Sequence, residues 1–126
     1  QRGIDCACLQ LNDAEGLAPF RDFLSSHMDG GRLAFDGIFC VTDALAVRIR
    51  AMLEELGPRV PEDVQLIGFD GTRRFAGEGF YCSTIVQPIT RLAETSVDLL
   101  LQEDRSSLPS LVCLPVQYAP GGTTRE

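Results

Sequence analysis

The sequence predicts an α/β fold, a mostly parallel sheet flanked by helices, and three observations carry this. Short apolar runs with β-branched residues alternate along the chain with longer stretches whose apolar residues recur at three- and four-residue steps. Glycine, proline and acidic residues punctuate the boundaries, as in Gly57-Pro58 and Pro61-Glu62-Asp63. Two of the apolar runs stop at polar residues, Thr42-Asp43 and Asp70-Gly71, and the carboxyl ends of parallel strands are where open α/β folds bind ligands.

The elements follow in order. Asp5 to Leu11 is expected as a first strand, and Asn12 or Asp13 as the cap of the next helix, since a short polar side chain satisfies free N–H groups in a first turn. Leu17, Phe20, Leu24 and Met28 form that helix's apolar face. Asp29-Gly30-Gly31-Arg32 is a loop, and Gly37 to Val41 a second strand. Thr42 or Asp43 caps a helix with the stripe Leu45, Ile49, Met52, Leu53 and Leu56, ended by Gly57-Pro58. Val64 to Phe69 is a third strand, too short for a helix and closed by Gly68-Phe69-Asp70-Gly71.

Gly71 to Cys82 reads as an ordered surface loop, with room for a short helical turn. Pro88 suits the first position of a helix running to about Gln102, where its missing N–H has no partner to lose. Leu108 to Tyr118 is an edge strand or a strand with breaks, because Pro109 and Pro115 cannot donate to a ladder. Ala119 to Glu126 reads as a loose tail.

Bulk composition removes several function classes. The net charge is −7, there is no lysine, and Arg73-Arg74 is the only adjacent basic pair among 11 arginines, so no nucleic-acid surface is visible. Without lysine, Schiff-base chemistry and a phosphate-accepting receiver are excluded. There is no Gly-x-Ser-x-Gly elbow, dinucleotide fingerprint or Walker loop, which argues against an enzyme. No apolar run reaches the ~18 residues of a membrane helix. His27, the only histidine, falls at a helix end without metal-ligand spacing to any partner, and no metal or cofactor is expected. Cys6, Cys8, Cys40, Cys82 and Cys113 include no Cys-x-x-Cys unit, and they read as buried free thiols of a reducing cytoplasm. The chain opens Gln1-Arg2-Gly3 without methionine or leader pattern and reads as a piece of a longer protein.

If the three strands are parallel neighbours, Gln10 to Asn12, Thr42-Asp43 and Asp70-Gly71 share one edge. Carboxylates and amides there suit a small polyol or sugar, with an aromatic covering its apolar face. Glu62 and Asp63 fall on the opposite edge and read as solvated turn residues.

Four pieces in order resemble the effector-binding core of LacI/GalR-type bacterial transcription regulators. They are Thr42-Asp43-Ala44-Leu45-Ala46, Leu56-Gly57-Pro58-Arg59-Val60-Pro61-Glu62-Asp63, Ile67-Gly68-Phe69-Asp70 and Ser83-Thr84-Ile85-Val86-Gln87-Pro88. The resemblance covers about Gly3 to Thr124 and implies the second lobe of a periplasmic-binding-protein-like fold. It implies that residues 1–86 are the C-terminal effector-binding lobe and 87–107 a crossover helix belonging to a first lobe missing here. Residues 108–118 would then be a returning strand and 119–126 a tail.

The implied protein senses a small effector, sugar or nucleoside-like, dimerises, and meets operator DNA only through a helix-turn-helix absent from this chain. A periplasmic sugar-binding protein of a transport system is the alternative. Asp70 is the implied effector contact, or a residue that only pins its turn. Thr42 is a contact or a cap, Asp43 a cap or a contact, and Gln87 a pocket amide at the crossing. Phe69 or Phe75 would supply the aromatic. Arg48, Met52, Arg73, Arg74, Phe75 and Phe80 are implied at the dimer interface. Two departures stand out: Gly71 replaces a second acid, and no arginine precedes Thr123-Thr124. The apolar face of the crossover helix, from Ile89 to Leu101, is expected to be covered by folding back, by a second chain, or by exchange between chains.

Overall fold

A computed structural model of the chain describes residues 5–10, 16–72 and 82–125. Helix α1 (Ala18–Ser26) leads into a small hairpin, β1 (Met28–Asp29) and β2 (Arg32–Leu33). Strand β3 (Gly37–Phe39), helix α2 (Asp43–Leu56) and strand β4 (Gln65–Asp70) follow. Strand β5 (Ser83–Val86), helix α3 (Ile89–Leu101), a 3-10 turn at Arg105–Ser107 and strand β6 (Gln117–Ala119) complete the order. The main sheet runs β3-β4-β5-β6, with β3, β4 and β5 parallel and β6 antiparallel at the edge. The mostly parallel sheet with flanking helices read from the sequence is the one observed.

The core lies between the sheet and the first two helices. Phe20 and Leu24 of α1 and Ala46, Ile49, Met52 and Leu53 of α2 pack with Cys40, Val64, Leu66 and Cys82. Each large aliphatic side chain so removed from water is worth about 1.5–3 kcal/mol. Local chemistry sets the ends of α2: Thr42 Oγ1 accepts the Leu45 N–H at 3.1 Å, and Gly57, at φ 107°, donates its N–H to Leu53 O at 2.9 Å. Arg59 then forks onto Asp63 at 2.8 and 2.9 Å, and this hydrogen bonding holds the Asp63 carboxyl below the usual carboxylate range. Glu62 and Asp63 are exposed turn residues, as read.

Several expectations are corrected. Residues 5–10 form no strand and lie exposed; Cys-Ala-Cys offers small side chains, and burying them returns little against the cost of ordering the backbone. The caps placed at Asn12 and Asp13 lie outside the described residues. The loop 29–32 is the turn of a two-residue hairpin, with Gly30 and Gly31 both at positive φ as a type I′ turn requires. Pro88 precedes α3 rather than opening it. Between Leu108 and Tyr118 only 117–118 belong to a strand, β6, which lies beyond both prolines. Three of the five thiols, Cys6, Cys8 and Cys113, are exposed.

The tail is not loose. Thr123 is fully buried; its hydroxyl donates to Leu66 O at 2.6 Å and accepts the Ser83 N–H at 2.8 Å, while its own carbonyl accepts the Leu66 N–H at 2.9 Å. It fills the space between β4 and β5 at their starting ends.

Helix α3 has no buried residue, and Leu100 and Leu101 are 73% and 74% exposed. It does not fold back onto the described part of the sheet.

Candidate functional site

Asp70 ends β4 at φ 105°, the only non-glycine residue at positive φ among the described residues. Such a conformation costs on the order of 1–3 kcal/mol and persists only where surrounding structure dictates it. The register places Asp70 beside Val86 of β5, so the next residue, Gln87, reaches across, and its Nε2 donates to Asp70 Oδ1 at 2.8 Å. Thr42 leaves the end of β3 on the same edge. Thr42, Asp70 and Gln87 thus stand at the carboxyl ends of three adjacent parallel strands, each partly exposed.

Phe69 is half-buried and meets Phe39 edge-to-face, ring centroids 6.4 Å apart. Phe75 lies outside the described residues, as do Arg73, Arg74 and Phe80.

Asp43 differs from the other candidates. It is 2% exposed, in the first turn of α2 against β4. Its Oδ2 accepts the backbone N–H of Thr72 at 2.6 Å and the Thr72 hydroxyl at 3.2 Å; its Oδ1 accepts the Thr84 hydroxyl at 2.5 Å and faces Cys82 Sγ at 3.9 Å. A Cβ on Gly68 would collide with Asp43 Oδ1, so glycine there makes room for the carboxylate. A buried carboxyl group is tolerable when it is hydrogen-bonded, and both oxygens of Asp43 have donors. The carboxylate read as a contact or a cap is turned inward, and Thr42 takes the capping role alone.

Of the interface candidates, Arg48 is exposed on α2, whereas Met52 is 7% exposed and part of the core. One turn-step from Ile49, it falls on the sheet-facing side of the helix. Burial, with Cys82 nearby, pushes the Cys40 thiol up to about 12. Burial, then Asp43, pushes Cys82 up to about 11. Both are neutral thiols without nucleophilic character near neutral pH.

Sequence reasoning passed over Thr72 and Thr84, which hold Asp43. The available signal was the β-branched run Ser83-Thr84-Ile85-Val86, a strand in its own right whose hydroxyls alternate between faces.

Among the described residues no helix is long and apolar enough to cross a membrane. Compared with known proteins, residues 11–124 match the periplasmic binding protein-like domain. The sucrose operon repressor of Pediococcus pentosaceus is 35% identical over 92 residues, 71% of this chain and 28% of that protein. The repressor of the same name from Lactococcus lactis is 36% identical over 90 residues, 69% of this chain and 26% of that protein. The HTH-type transcriptional repressor PurR of Aliivibrio salmonicida is 35% identical over 65 residues, 52% of this chain and 20% of that protein. The chain spans about a quarter of the length of the sucrose operon repressors it matches. A crystal structure of a transcription regulator from Lactobacillus plantarum superposes with a TM-score of 0.63 at 21% identity, over 82% of this chain and 40% of that one, and shares the fold.

Proposed function

The chain belongs to the periplasmic binding protein-like domain family, in the form found in LacI-type regulators, and on that premise we propose that it is the sensing lobe of a transcriptional repressor. The observation that carries this reading is the Asp70–Gln87 pair at the carboxyl edge of the parallel sheet, bonded at 2.8 Å with both residues partly exposed. Asp70 Oδ1 is engaged by the amide, and Oδ2 would accept a hydroxyl or amine proton from a small effector, sugar or nucleoside-like. The Gln87 carbonyl would accept a second, and the Thr42 hydroxyl, its oxygen already accepting from Leu45, would donate one. Phe69 would offer an apolar edge to a ring. The chemistry asked of these groups is binding, not catalysis.

In this reading residues 1–86 form the effector lobe, α3 belongs to a complementary lobe, and 108–118 return from it. The parent protein would be cytoplasmic and homodimeric, with Arg48 and the segment holding Arg73, Arg74, Phe75 and Phe80 near the contact. It would meet operator DNA through a separate helix-turn-helix. Effector binding would shift the population between DNA-binding and non-binding states. The names of the relatives favour a repressor over a transport component.

A thermal-shift screen of the full-length protein against sugars including sucrose, nucleosides and purines tests it. A ligand at 100 times its Kd adds about 2.7 kcal/mol to the folded state. A hit that disappears in Asp70→Ala supports the pocket at the strand ends. A hit that survives moves the site elsewhere, and no hit across the panel counts against this effector class.

A further inference from the structure

Beyond the residues that would touch an effector, we infer that Asp43 is the positioning residue that holds Asp70 in its ligand-facing conformation. This rests on reading Asp70 as the effector contact.

A non-glycine residue at φ 105° relaxes toward an extended strand unless its neighbours prevent it. The two residues after Asp70 are both tied down, and both ties lead to Asp43. The Gly71 N–H donates to Thr84 Oγ1 at 3.3 Å, and the Thr84 hydroxyl donates in turn to Asp43 Oδ1 at 2.5 Å. The Thr72 N–H and hydroxyl both donate to Asp43 Oδ2, at 2.6 and 3.2 Å.

One carboxylate therefore receives the chain just past Asp70 by two routes, one direct and one through a hydroxyl of the neighbouring strand. Because Thr84 gives its proton to Asp43, its oxygen is left to accept from Gly71. A carboxylate is the right group for this, since it accepts on both oxygens and donates on neither. Gly68 leaves space for it, and Gly71 itself lies so close to Val86 that a Cβ there would clash. Were the Gly71–Thr72 turn to loosen, Asp70 would lose its cause for positive φ, and the Gln87 amide would lose its partner.

The test is structural and needs no effector. Ligand-free crystal structures of the full-length protein are compared for Asp43→Asn, Thr84→Val and Thr84→Ser. Thr123→Val serves as the control, a buried hydroxyl lost at the other end of the same strands. In Asp43→Asn and Thr84→Val, Asp70 is expected to swing to negative φ and its bond to Gln87 to break. Thr84→Ser, which keeps the hydroxyl, restores both, and Thr123→Val lowers stability without moving Asp70. Should either of the first two variants fail to fold, the other with the serine rescue still decides. Asp70 remaining near φ 105° and bonded to Gln87 in Asp43→Asn or Thr84→Val overturns the inference. A failed effector screen would instead overturn the sensing role and leave this result standing.

Discussion

Helices α2 and α3 are nearly the same length, 14 and 13 residues, and both carry leucine-rich stripes, yet they live differently. Five residues of α2 are buried, and α3 has none. A side-chain hydrogen bond from Thr42 opens α2 and a left-handed glycine closes it, whereas α3 begins after Pro88 with no side-chain cap and ends at an extended Gln102. By sequence α3 is the less charged helix, with Arg91, Glu94 and Asp98 in 13 residues against five charged residues in the 14 of α2. An amphipathic pattern records that a face needs covering, and only a facing surface supplies the cover. For α2 that surface is β4; for α3 it is not among the described residues.

Side-chain truncation separates the two helices most strongly. Leu53→Ala in α2 should cost about 2–5 kcal/mol, because Leu53 is fully buried and its loss leaves a cavity. Leu100→Ala in α3 should stay within about 0.5 kcal/mol in this chain alone. Urea denaturation of both variants reads the difference, and a large loss from Leu100→Ala would break the comparison by showing that α3 is packed in solution. Thr42→Ala removes the cap that α3 lacks and should cost about 1 kcal/mol in the same assay.

The smallest effect lies in the turn that returns α2 to β4. The Asp63 carboxyl titrates lower when folded than when unfolded because Arg59 binds its charged form. Its contribution is therefore present above the ordinary carboxylate range and is lost as pH falls through that range and below. Asp63→Asn should flatten the fall in Tm between about pH 5 and pH 3 by a small margin, since the pair is solvent-exposed and screened. An unchanged pH slope would remove the Arg59 fork from the account.

What the sequence made legible was whatever local signals agreed on. The stripe, Thr42 and Gly57 all speak for α2, and the run ending at Asp70 speaks for β4, so the edge bearing Thr42 and Asp70 could be read from local signals, whereas Gln87 was placed only by the resemblance and β5 was not read at all. The direction of Asp43 could not. Thr42 and Asp43 are both good caps, and only the space above Gly68 together with the hydroxyls of Thr72 and Thr84 decides which of the two turns inward. The strand expected from Asp5 to Leu11 failed because Cys6, Ala7 and Cys8 bring little apolar area to a ladder. Thr123 carries no local signal at all, since its partners Leu66 and Ser83 are 57 and 40 positions away.

That last separation has a consequence for how the protein is made. A chain emerging from the ribosome N-terminus first exposes β4 and β5 before Thr123 appears, so the gap between their starting ends stays unplugged until Thr123 is made. Contacts this distant in sequence close late and slow the search for the native state. A nascent chain stalled short of Thr123 would hold β4 and β5 without this fastening between their starting ends.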